Sequence, residues 1–181
     1  MSLPALAGLL LVIDLSTDPF GPEPASVAKT VAVTLTSLLF ADSVVGMTAT
    51  VQVADMLSIP YPDAHFDWVL SVQVIYHTTA ATLQQVLHHV RTKLKPGGWL
   101  YVTFAPVENI TPESGREIEP RTYLQEEDGE PLLHHYVLPE EIDGLLAGFT
   151  MLEKRLEPRE SRDVAGHVTQ RWRWNVLGQR V

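Results

Sequence analysis

Hydrophobic positions along the chain fall into short runs closed by turn residues, with one clear helical stripe among them. Leu9 to Leu15 is an apolar run interrupted only by Asp14. Runs of this kind suit strands of a parallel sheet buried on both faces. Pro19, Pro22 and Pro24 follow closely and exclude regular structure in the next loop. Ser26 to Phe40 is ambiguous, because its β-branched residues favour strand and its length favours helix; we read it as helix. Ala49 to Ala54 and Asp67 to Val72 read as strands. From Ala80 to Leu94 the apolar residues Leu83, Val86, Leu87, Val90 and Leu94 recur at helical spacing. Pro96-Gly97-Gly98 stops that helix and turns the chain into a strand from Trp99 to Phe104. Strand, helix and strand in this order predict a right-handed βαβ unit in a parallel sheet. Glu108 to Pro131 is polar and acidic and reads as an excursion over the active face. Pro139 to Leu146 reads as a helix with proline in its first turn. Phe149 to Glu157 and Arg171 to Leu177 alternate as a terminal antiparallel pair.

With 181 residues, 45% of them hydrophobic, the chain is long enough for one α/β domain with a sizeable core. Its formal net charge of −9 and the absence of a basic stripe argue against a nucleic-acid partner. It contains no cysteine, so neither a disulfide framework nor a thiolate metal site is available, which fits a cytoplasmic protein. The apolar run from Leu3 to Ile13 is too short to span a bilayer and lacks the basic leader of a signal peptide. It reads as a buried strand preceded by a helical turn, with no membrane partner.

The candidate chemistry gathers after the strands. Asp55 and Met56 follow one strand, and ligands of open α/β sheets bind beyond the carboxyl ends of strands. A carboxylate there can accept a hydrogen bond from an exocyclic amine, and an apolar neighbour completes a flat pocket; the structural alternative is a cap or a solvated loop acid. Ser71, Val72 and Gln73 fall where the next strand ends, whereas Asp67 at its start reads as structural. Tyr76-His77 enters the following helix and offers a pair that can position an acceptor or move a proton, or simply pack and cap. His88-His89 is a poor chelate, since adjacent helical residues point apart. His134-His135-Tyr136, with Glu126, Glu127 and Asp128 upstream, admits an acceptor-binding or metal-binding role or a lid contact; His135 joins Tyr76 and His77 as a catalytic candidate. Trp172 and Trp174 share one strand face, as core or as a pocket wall.

The ordered set Asp55, Phe66-Asp67-Trp68-Val69-Leu70-Ser71 and Leu94-Lys95-Pro96-Gly97-Gly98 resembles the class I S-adenosylmethionine-dependent methyltransferases of the methyltransferase-11 or -25 type. Gly115-Arg116-Glu117-Ile118-Glu119-Pro120 with His134-His135-Tyr136 is similar to a bacterial subgroup related to tellurite-resistance methyltransferases. The likeness runs from about Ala49 to the C-terminus, with 1–48 atypical. It implies a Rossmann-like sheet of seven strands, mostly parallel with a reversed last hairpin, and S-adenosylmethionine as cofactor near Asp14, Asp55, Met56, Ser71, Val72 and Gln73. It implies in-line methyl transfer to a small-molecule acceptor. The front end departs from the pattern: where the family carries a glycine-rich loop, this chain has Asp18-Pro19-Phe20-Gly21, so the first strand and its loop are expected to be incomplete. Asp14 marks either a decayed glycine loop or the end of the second strand, where it would bind ribose. The expectation is therefore a methyltransferase, truncated or degenerate at its front. The alternatives are an impaired remnant acting as a binding module, which would expose a sheet edge and form a homo-oligomer, and a histidine-based metal-binding protein.

Overall fold

The computed structural model describes the backbone of residues 9–14, 30–40, 43–127, 130–162 and 168–181, and side chains within 54–126, 131–160 and 168–181. The expectations for Leu3 to Gly8, the proline loop, Ser26 to Lys29 and Asp128 lie outside the described residues.

The helical stripe folds as its spacing predicts. Helix α1 (Ala80–Lys93) begins at Thr79, whose side chain accepts from the Thr82 N–H at 3.2 Å. It buries Leu83, Val86, Leu87 and Val90 as one face. The strand before it, β4 (Phe66–Ser71), buries Phe66, Val69 and Ser71, and the strand after it is β5 (Leu94–Pro106). β4 and β5 are parallel, so the predicted βαβ unit is present. The turn between α1 and the paired part of β5 needs both glycines: Gly97 has φ +75°, and a Cβ on Gly98 would lie 2.8 Å from the Lys95 carbonyl oxygen. Lys95 closes the turn by donating to both Asp67 carboxylate oxygens at 2.8 and 2.9 Å, which gives Asp67 the structural part expected of it.

Strand β1 (Leu9–Asp14) lies parallel to β4 on its other side. Beyond it come β2 (Thr30–Phe40) and β3 (Ser43–Ala54), each antiparallel to its neighbour. This corrects the helix expected over Ser26 to Phe40. Thr30, Val31, Val33, Thr34 and Thr36 are β-branched, and that preference, expressed through pairing on both sides, outweighs segment length.

The acidic excursion is itself folded, and among the described residues its three strands bring the sheet to ten where the resemblance implied seven. After a 3-10 turn at Val107–Asn109 come β6 (Arg116–Glu119), β7 (Thr122–Glu127) and β8 (Glu130–Val137), paired antiparallel in succession. β8 joins the end of β5 in parallel through Ala105 and Pro106. Helix α2 (Pro139–Leu145) carries Pro139 at its start, and the Glu141 carboxylate accepts from the Leu138 N–H at 2.7 Å. The closing hairpin is β9 (Phe149–Arg162) with β10 (Val168–Arg180), and β10 runs antiparallel to β5. Parallel strands thus form the middle of the sheet, with a reversed C-terminal hairpin. Phe66, Leu83, Leu87, Leu100, Phe104 and Ile142 make the centre of the core. Among the described residues no helix is long and apolar enough to cross a membrane.

Candidate functional site

Strand register decides which residues meet. Asp14 lies opposite Thr30, and Thr30 opposite Ala54. Val12 lies opposite Ser71. β1, β3 and β4 run in one direction, so Asp14, Asp55 and the Ser71–Gln73 segment share the carboxyl edge of the sheet. The backbone therefore brings together positions that are far apart in sequence.

Along that edge the residues differ. Asp55 is exposed, and its Oδ1 accepts from the Leu57 N–H at 2.8 Å, an Asx turn that shapes the loop. Met56 is buried in the core. Ser71 is buried, and its hydroxyl has no hydrogen-bond partner, an orphan polar group at the strand end. Val72 is exposed. Gln73 adopts a left-handed φ of +58°, and its N–H donates to Thr103 Oγ1 at 2.8 Å. A non-glycine residue held in that region is strained and needs surrounding support, here from β5.

Next to this edge opens a cleft of about 520 Å³. Gln73, Phe104 and Ala105 form its floor at the ends of β4 and β5, and Gln125 and Glu126 of the excursion form part of its side. Tyr76, His134 and Tyr136 line it with rings: Tyr76 and His134 have centroids 4.8 Å apart, and His134 stacks on Tyr136 at 4.9 Å and 24°. Gln125 Nε2 donates to the Tyr136 hydroxyl at 2.7 Å. Burial, reinforced by His77, Arg171 and His135, pushes His134 down to about 3. His134 is therefore neutral near pH 7 and a weak proton acceptor, suited to packing or hydrogen bonding rather than to taking a proton.

The other candidates divide. His77 sits 5.0 Å from His134, ring to ring, and is not among the residues lining the cleft. His135 is buried and does not line the cleft. Its Nδ1 meets Thr122 Oγ1 at 2.7 Å, and Thr122 donates to Glu119 Oε1 at 2.9 Å. The same oxygen accepts from the Ala80 N–H at the start of α1. The Ala80 N–H and then the Thr122 hydroxyl hold Glu119 below the usual carboxylate range. His135 thus belongs to a chain of contacts fastening β8 and β7 to α1, and burial lowers its own proton affinity. Among the described residues no three His, Asp or Glu side chains converge as metal ligands; His88 and His89 diverge, with ring centroids 6.1 Å apart. Trp174 is buried and Trp172 lines the cleft, so the two readings of that pair divide between them.

The sequence alone missed Arg159, Arg171 and Arg173, which enter the cleft from β9 and β10. Their only sequence signal is an arginine-rich end on each strand of the predicted hairpin; the register that unites them is not written locally.

Residues 25–102 match the family model described as a methyltransferase domain. Among solved structures, the chain is similar to a SAM-dependent methyltransferase from Methanosarcina mazei, with 18% identity over 72% of this chain and 66% of that one and a TM-score of 0.57. It is also similar to TehB from Haemophilus influenzae, with 12% identity over 72% of this chain and 40% of that one and a TM-score of 0.51. A search of curated proteins finds no match. The chain spans between two fifths and two thirds of the lengths of these two structures. Identities this low speak to fold, and strand order, reversed hairpin and family match agree on it: this chain is built on the class I methyltransferase fold.

Proposed function

We propose that the protein transfers a methyl group from S-adenosylmethionine to a small-molecule acceptor. The observation carrying this reading is the adjacency of the carboxyl sheet edge, with Asp14, Asp55 and Ser71–Gln73, to the ring-lined cleft. The edge residues fit the cofactor in kind. Asp55 offers a carboxylate toward an exocyclic amine beside the apolar Met56, the orphan Ser71 hydroxyl lacks a partner, and Gln73 holds its strained backbone where β4 ends. The cofactor supplies an electrophilic sulfonium methyl. The chain's own residues orient an acceptor against the Tyr76, His134 and Tyr136 rings and exclude water, so that the nucleophile lies in line. With His134 neutral and His135 turned into the Glu119 chain, catalysis rests on positioning, and the acceptor brings its own nucleophile. Tyr76 is then a wall of the acceptor site. The family resemblance and the lack of a cysteine support a cytoplasmic enzyme.

A second reading, an impaired binding module, is favoured by one feature of the sequence: Pro19 and Phe20 follow the first strand in the stretch where the family carries glycines. It predicts self-association through an uncovered sheet edge. Calorimetry with S-adenosylhomocysteine separates the two. Heat of binding below millimolar ligand is expected, and no detectable heat at millimolar ligand sinks the enzyme reading.

A further inference from the structure

The closing hairpin breaks a pairing rule. Arg159 on β9 lies directly opposite Arg171 on β10, and like charges in that position repel. Both line the cleft, as does Arg173 two residues on. In a chain of net charge −9, partners should be plentiful. Yet among the described residues none of the three forms an ion pair. Each guanidinium points at a neutral oxygen instead: Arg159 at Gln73 Oε1 (3.5 Å), Arg171 at the Asn109 carbonyl (3.2 Å) and Arg173 at Asn175 Oδ1 (3.0 Å). Local violations of this kind collect at functional sites. The contact to Gln73 ties this positive group to the edge where β4 ends.

We propose that the cleft takes an acceptor bearing a carboxylate, held by Arg159 and Arg171, with a flat body lying against the rings of Tyr76, His134 and Tyr136. This rests on the methyl-transfer reading and names its substrate class. Guanidinium groups match carboxylates in shape and charge. Glu113, Glu126 and Glu160 also line the cleft and are exposed, so the surroundings favour a monoanion over a phosphate dianion.

Ligand-observed NMR on the full chain tests this with matched probes: benzoate and benzamide, 1-naphthoate and 1-naphthamide, and phenyl phosphate, each with S-adenosylhomocysteine present. The acids should bind and the amides should not. Arg159→Gln/Arg171→Gln should weaken acid binding by about tenfold or more. Arg171→Gln alone, whose side chain does not touch Gln73, should keep S-adenosylhomocysteine affinity within about twofold, and relief of cross-strand repulsion should leave the double variant's melting temperature equal or raised. Acids that bind no better than amides, acids that do not bind at all, phenyl phosphate binding more tightly than benzoate, or an unaffected double variant would each overturn the proposal. A lowered melting temperature would show instead that the arginines are structural. Absence of S-adenosylhomocysteine binding, read separately, counts against methyl transfer rather than against the anion site.

Discussion

At the scale of single residues, Asp55 does two things that one substitution can separate. One carboxylate oxygen shapes the loop through the Leu57 N–H, and the proposed second role is to accept from the cofactor's amine. Asn keeps an oxygen for the Asx turn but loses the charge and offers a donor on its other side. Asp55→Asn should therefore leave the melting temperature unchanged and weaken S-adenosylhomocysteine binding by roughly 1–2 kcal/mol, the low end of a hydrogen bond to a charged group because Asp55 is exposed. Equal affinity in calorimetry would reduce Asp55 to a turn residue. His134 makes a pH prediction. Its folded-state value of about 3 lies below the ordinary 6.5, so the unfolded chain takes up a proton first. Its contribution is fully present above about pH 6.5 and is lost as pH falls toward 3. His135 and Glu119 act in the same direction. His134→Phe, which retains a ring against Tyr136, should lose less stability than the unaltered protein between pH 6.5 and 4. Parallel melting-temperature curves would contradict the buried neutral imidazole.

Elements differ in how far the sequence discloses them, and the reasons are local. The α1 stripe and the glycine turn are written in neighbouring residues, so the helix over Ala80–Lys93 and its stop were legible, while the Thr79 cap shows only in the structure. The glycine turn gives a test. At Gly97 the obstacle is the positive φ, with only Gln179 Nε2 near a Cβ at 4.0 Å, whereas at Gly98 a Cβ would meet the Lys95 and Asp67 carbonyl oxygens at 2.8 and 3.2 Å. Gly97→Ala should cost about 1 kcal/mol. Gly98→Ala should cost more, because backbone cannot step aside, and a Gly98→Ala melting point above that of Gly97→Ala would overturn this ranking. Within Ser26 to Phe40 segment length favours helix and β-branching favours strand, and only pairing with β1 and β3 decides between them. The excursion's strands were hidden for the same reason: the partners of Thr122–Glu127 lie on β6 and β8. His135 and His134 adjoin in sequence, but strand alternation sends His135 into the Glu119 chain and His134 to the cleft, whereas of this pair the sequence marks His135 as the catalytic candidate.

For the molecule as a whole, the sheet edge is what joins segments that composition cannot connect. The resemblance groups Asp14, Asp55 and Ser71–Gln73, and register gives that grouping a physical basis, while the arginines of β9 and β10 meet the Tyr76 loop because β10 pairs with β5. The methyl-transfer reading stands or falls on whether this edge holds the cofactor. Backbone amide NMR of the isotope-labelled full chain, titrated with S-adenosylhomocysteine, tests it most directly. The largest shifts are expected at Asp55–Leu57 and Ser71–Gln73 and at the end of β1, with smaller ones at Tyr76 and Ala105, and little change in α2 or at Gly97–Gly98. Shifts confined to the β6–β8 excursion, or none at millimolar ligand, would contradict it.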